Sequence, residues 1–184
     1  MKKLILALAL ILYVAGIYYL TRPVPSLPSL DQAVRSNENG DTIQHPDQSA
    51  YYTDRDLRPD ILGELQRKFN LSSLGFLSYR LNYRPEEVGE LVRDQLRSYY
   101  LEEVVHPLRE SLFVNVWEPT KSPFVVPKDQ ASQRMYFQKV YYPVKVTLRP
   151  VYSSLWARVL VWTLVLPAAY TVYFSMKKSL TTVI

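Results

Sequence analysis

The chain has no cysteine. That absence excludes disulfides, thiolate nucleophiles and cysteine-bound zinc or iron–sulfur centres. Histidine is scarce: His45 and His106 are the only two in 184 residues, and they lie far apart. A histidine-rich metal site is therefore not expected. The local signatures of chemistry are missing as well. There is no G-x-S-x-G elbow, no H-E-x-x-H helix and no glycine-rich phosphate loop. No cofactor is expected. Acidic residues are missing from both ends, since all 17 Asp and Glu fall between Arg22 and Ser154. Lys and Arg number 22, and the excess of five is Lys2, Lys3, Arg158, Lys177 and Lys178. The middle of the chain is thus neutral. A nucleic-acid binder carries its positive excess on the folded domain. Here the excess flanks the most apolar stretches, which points to a membrane and away from nucleic acid.

Two apolar runs stand out. Leu4–Leu20, "LILALALILYVAGIYYL", carries no charge. Its length sits at the short end for a spanning helix, which takes roughly 17 to 25 residues. Lys2 and Lys3 in front of it also fit a cleavable signal peptide. Bulky Tyr18 and Tyr19 stand where a cleavage site wants small residues, so an uncleaved signal-anchor is expected. The second run is Leu155–Phe174, "LWARVLVWTLVLPAAYTVYF". It is too long for a strand. Arg158 is its one charge, close enough to the start to reach headgroups rather than hydrocarbon. Trp156 and Trp162 toward one end and Tyr170 and Tyr173 toward the other resemble aromatic belts, and Pro167 is tolerable in a membrane helix. The expected membrane-interface residues are Lys2, Lys3, Tyr18, Tyr19, Trp156, Arg158, Trp162, Tyr173, Lys177 and Lys178. The lysines outside both runs place both termini in the cytoplasm by the positive-inside rule. The neutral middle is then extracytoplasmic.

The expected organisation is an N-terminal anchor over residues 1–21 and a Pro-rich polar linker over 22–50. A folded domain over 51–151 follows, then a transmembrane helix over 152–176 and a tail over 177–184. "RPVPSLPSL" reads as a stiff extended spacer. In the polar stretch after it, His45 with Asp41 and Asp47 has the composition of a metal site but lies on an expected flexible segment. From residue 51 the texture changes. Pro59-Asp60 starts a helix whose Ile61, Leu62, Leu65 and Phe69 recur at helical spacing. "FLSYRLNYR" alternates as a half-buried strand, with Leu77, Tyr79, Leu81 and Tyr83 on one side. Pro85 with Glu86 and Glu87 opens an amphipathic helix predicted to run on through Glu102 and Glu103. "SLFVNVW" has the β-branched apolar character of a central strand. "RMYFQKVYYPVKVTLR" is a long strand in which Pro143 implies an edge or a bulge. The fold class is α+β: helix, strand, helix, strand, strand, with an antiparallel sheet.

The segment with the densest functional groups is "EEVVHPLRE", residues 102 to 110. An enzyme acting on lipid or cell-wall material would draw on Glu102, Glu103, His106, Arg109 and Glu110. Acid–base chemistry there needs a nucleophile, an oxyanion hole or a metal, and none is visible in the sequence. Adjacent glutamates on a helix diverge by about 100°, and a histidine before Pro107 fits a helix C-terminus. The structural reading is preferred and no catalytic, metal or cofactor-binding residue is assigned. Asn70-Leu71-Ser72 matches a glycosylation acceptor. Fifteen tyrosines, several in adjacent pairs, fit strand propensity or an aromatic partner face. Gly16 and Ala15 in the first run, with Ala168 and Ala169 in the second, would allow close helix packing. The expected function is a non-enzymatic, two-span envelope protein. It presents an interaction module to a protein partner or to another copy of itself, as a scaffold or accessory subunit of a membrane complex.

Overall fold

Ile61, Leu62, Leu65 and Phe69 form the buried stripe of a helix, α2 (Arg58–Leu71), in the computed structural model of the protein. Each is 2% exposed or less. Pro59 and Asp60 fall in its first turn, where a missing N–H costs nothing and a carboxylate meets the positive end of the helix dipole. The structure describes residues 2–39, 41, 47–55, 58–71, 78–83, 100–118 and 135–182.

Those residues form two compact units: Met1–Pro23 with Ser153–Ile184, and Val24–Tyr152. The second unit is the α+β domain. Its strands are β1 (Val34–Arg35), β2 (Ser49–Thr53), β3 (Tyr79–Tyr83), β4 (Tyr100–Val105), β5 (Glu110–Trp117), β6 (Met135–Phe137), β7 (Val140–Tyr142) and β8 (Val144–Tyr152). Six of them make one antiparallel sheet in the order β1-β2-β8-β5-β4-β3, and β6 and β7 pair as a separate hairpin. The apolar stripe of α2 covers one face. It packs on Val104 of β4, on Leu112, Val114 and Val116 of β5, and on Val144, Val146 and Leu148 of β8. Registers Val104↔Leu112, Val114↔Leu148 and Val116↔Val146 line these residues up across the strands. The other face is closed near β2 by the β6–β7 hairpin, whose Phe137 stacks on Tyr52 at 4.8 Å.

Several expectations are met and three are corrected. The sheet is antiparallel, α2 lies where its spacing placed it, and β5 is central, flanked by β4 and β8. The first correction concerns Glu102 and Glu103, which lie on strand β4 rather than on a helix. The rest of the predicted helix, residues 85–99, lies outside the described residues. The alternation in β4 was hidden because polar Glu102 and His106 share the buried face with Val104. The second correction is that Pro143 does not mark an edge strand or a bulge in one long strand. It separates β7 from β8, and β8 is internal to the sheet. Beyond Leu148 the partner β2 has ended, so Pro150 sits where one side of β8 is open and a lost N–H is tolerated. The third correction is to β3, which is a strand as expected but an edge one that does not alternate in burial: residues 79–82 are all exposed, Tyr79 at 47% and Leu81 at 39%.

The polar stretch read as a linker contributes β1 and the start of β2. Long-range polar contacts hold it. Asp41 accepts from Lys145 Nζ at 2.6 Å and from Ser36 Oγ at 2.6 Å. Tyr52 donates to Glu38 at 3.0 Å. Leu30 is buried in the core cluster, with Leu27 packed against it. Around it, Lys68 bonds Ser29 O, Asp31 Oδ1 and Glu64 Oε1 at 2.9, 2.6 and 2.8 Å. Arg55 reaches Glu64 Oε2 at 2.6 Å, and the Asp31 N–H donates to Glu64 Oε1 at 2.8 Å. Burial alone would discourage ionisation of Glu64, but these donors outweigh it and hold its pKa down at about 2.

Candidate functional site

Two places concentrate functional groups. One is the helical unit formed by α1 (Lys2–Leu20) and α3 (Leu155–Thr182). Both helices are apolar all round rather than along one stripe, and both are long enough to cross a bilayer. The apolar window of α1 is 6% buried and that of α3 is 0% buried, whereas a helix in a domain core is mostly buried. The two helices pack against each other around Trp162. Trp162 donates its indole N–H to Tyr13 O at 3.2 Å, and Tyr13 Oη lies 3.2 Å from Thr163 Oγ1. A Cβ at Gly16 would collide with the Trp162 ring. Glycine is required there by close approach, as small residues are where helices pack without a hydrophobic driving force.

The expected interface residues divide accordingly. Lys3, Tyr18, Trp156 and Tyr173 are exposed and Tyr19 is partly so. Lys2, Lys177 and Lys178 lie in the helices. Arg158 and Trp162 make contacts within the helical unit. Arg158 is 5% exposed and folds back on Ser153, bonding its Oγ and its carbonyl at 2.8 Å each. Trp162 is the helix-packing residue just described. At the end of α1, Arg22 bonds the Tyr18 hydroxyl at 3.2 Å and lies 5.4 Å from the ring centroid. Arg22 was not singled out from the sequence; its spacing of four from Tyr18 is the signal that points to it.

The second place is the β4–β5 hairpin, which is what "EEVVHPLRE" builds. The turn is closed by the Arg109 N–H to His106 O and the His106 N–H to Glu110 O, both 3.0 Å. Glu102 and Glu103 diverge because successive strand residues face opposite sides. Glu102 is buried on the α2 face, while Glu103 lies on the other face and accepts from Tyr83 Oη at 2.5 Å. Burial and then that carboxylate push the Tyr83 phenol up to about 12. His106, Arg109 and Glu110 gather in the interior at 2%, 3% and 2% exposure. His106 Nδ1 is 2.9 Å from Glu110 Oε1, and His106 Nε2 is 3.0 Å from Asn70 Oδ1 at the end of α2. Arg109 Nη2 is 3.0 Å from the same Glu110 oxygen. Phe69 stacks on the imidazole at 4.6 Å, 8° from parallel.

This cluster is sealed from solvent. Both imidazole nitrogens are engaged and one face is covered by a ring, so no proton is presented to solvent. Its chemistry is that of a buried ion pair that fixes a turn and docks α2 on the sheet. Asn70, the glycosylation candidate, is the docking partner. It was not paired with His106 from the sequence, where 36 positions separate them. Among the described residues no group of three His, Asp or Glu is placed to hold a metal ion. Asp41 is committed to Lys145 and Ser36, and His45 lies outside the described residues.

Comparison of the chain with protein-family models, with curated proteins and with solved structures gives no match.

Proposed function

We propose that the protein is a two-span membrane-anchored envelope protein that holds a small α+β interaction module outside the cytoplasm, as a scaffold or accessory subunit of a membrane complex. One observation carries this reading: the two end helices are long, apolar on every side and almost wholly unburied, while the domain between them has a complete core of its own. Apolar helices exposed in that way need a lipid solvent. Lys2, Lys3, Lys177 and Lys178 favour cytoplasmic termini under the positive-inside rule. The neutral domain then lies on the opposite side. The burial of His106, Arg109 and Glu110 supports a structural role for them.

Chemical crosslinking in native membranes, followed by mild detergent extraction and sizing, tests the proposal. The expected result is a discrete species well above the 21.4 kDa of one chain. A lone protomer at every crosslinker concentration would count against a scaffold or subunit role.

A further inference from the structure

The β4–β5 turn is inside out. His106, Arg109 and Glu110 are buried, whereas Leu108 at the tip is 50% exposed. Leu108 also has φ of 60°, the left-handed region. Leucine is costly there, by about 1 kcal/mol or more, where glycine or asparagine would be at ease. A hairpin tip built for water turns its charges out and uses a residue suited to that backbone. This one does the reverse on both counts.

Its neighbours continue the pattern. Tyr79, Val105, Ser111 and Val151 form one cross-strand row, set by the registers Tyr79↔Val105, Val105↔Ser111 and Ser111↔Val151. The two ends of the row, Tyr79 and Val151, are 47% and 46% exposed, and Tyr152 beside it is 50% exposed. This is the end of the sheet from which β8 leaves for α3, with only Ser153 and Ser154 between Tyr152 and Leu155. The β6–β7 hairpin joins β8 at its opposite end, eight strand steps or roughly 26 Å away.

We infer that Leu108, Tyr79, Val151 and Tyr152 form a lipid-contact rim that seats the domain in the headgroup–acyl boundary of the bilayer. The inference rests on the proposal that α3 spans that bilayer. A two-residue connection from Tyr152 leaves this end of the sheet no room to stand far from the surface. Aliphatic and tyrosine side chains suit the boundary, where one end of the residue is apolar and the other wet. The buried ion cluster behind the tip keeps the charges of the turn away from the lipid while preserving its shape.

The absence of cysteine makes the test direct. Single variants Leu108→Cys, Val151→Cys, Tyr136→Cys and Leu164→Cys of the full chain are spin-labelled in phosphatidylcholine–phosphatidylglycerol bilayers; Leu164 lies near the middle of the apolar run of α3 and is 57% exposed. Collisional accessibility to oxygen, concentrated in lipid, is compared with that to a water-soluble nickel chelate. Labels at 108 and 151 are expected to give an oxygen-to-nickel ratio several-fold above that at 136 and below that at 164. Adding Leu108→Asn to Val151→Cys is expected to shift the 151 label toward water without lowering the thermal midpoint. Values at 108 and 151 equal to that at 136, with 164 deep in lipid, would overturn the rim and leave the anchor standing. A water-like value at 164 would overturn the anchor, and the rim with it.

Discussion

α2 and α3 are both apolar enough to need covering, and they meet that need in opposite ways. α2 has one apolar stripe, and the sheet hides it to 2% exposure or less. α3 displays Leu155, Leu160, Leu164, Val172 and Phe174 at 50 to 59%. A protein folding in water hides such side chains wherever a partner exists, because each buried one contributes about 1.5–3 kcal/mol. The contrast shows that α2 is part of a hydrophobic core, whereas among the described residues α3 is not. On the proposed reading its solvent is lipid.

The comparison can be broken by mutation. The largest effect is expected inside the domain, where Glu110→Ala leaves His106 and Arg109 buried without their carboxylate. About 3–5 kcal/mol should be lost in denaturant unfolding of the detergent-solubilised chain. Leu65→Ala under the sheet should cost about 2–5 kcal/mol in the same assay. Glu64→Gln should act only in one pH window. The folded pKa of Glu64 is about 2, against 4.5 for the free group. Its stabilisation is therefore whole above pH 4.5 and lost as pH falls toward 2, with a magnitude of about 2 kcal/mol once water screening of its part-exposed partners is allowed for. The variant should be less stable at neutral pH and lose less on acidification. In the helical unit, Gly16→Leu should reduce oxidative crosslinking of a Tyr13→Cys, Thr163→Cys pair several-fold while leaving domain unfolding unchanged. Leu164→Ala, the counterpart of Leu65→Ala on the exposed surface of α3, should change domain stability by less than about 0.5 kcal/mol. A large effect there would mean that α3 packs as α2 does.

What was legible in the sequence follows the same division. α2 was readable because Ile61, Leu62, Leu65 and Phe69 state their face without exception, and the end helices because their apolar runs are nearly unbroken. β5 was readable because apolar β-branched residues fill its centre. β4 was not, since its buried face mixes Val104 with Glu102 and His106, and a polar residue inside a sheet looks like one outside it until its partner is known. That partner for His106 is Asn70, far upstream. β1 and β2 were missed for a related reason. Their segment is held by Asp41–Lys145 and by Asp31 with Lys68, contacts between positions that no local pattern connects. The contact of Trp162 with Gly16 was not legible either, because it joins two helices far apart in sequence.

Topology decides the rest. A Gln138→Cys variant places one thiol on an exposed turn of an otherwise cysteine-free chain. Intact cells treated with a membrane-impermeant maleimide should modify it fully before any permeabilisation. Modification only after the membrane is opened would put the domain in the cytoplasm and contradict the account.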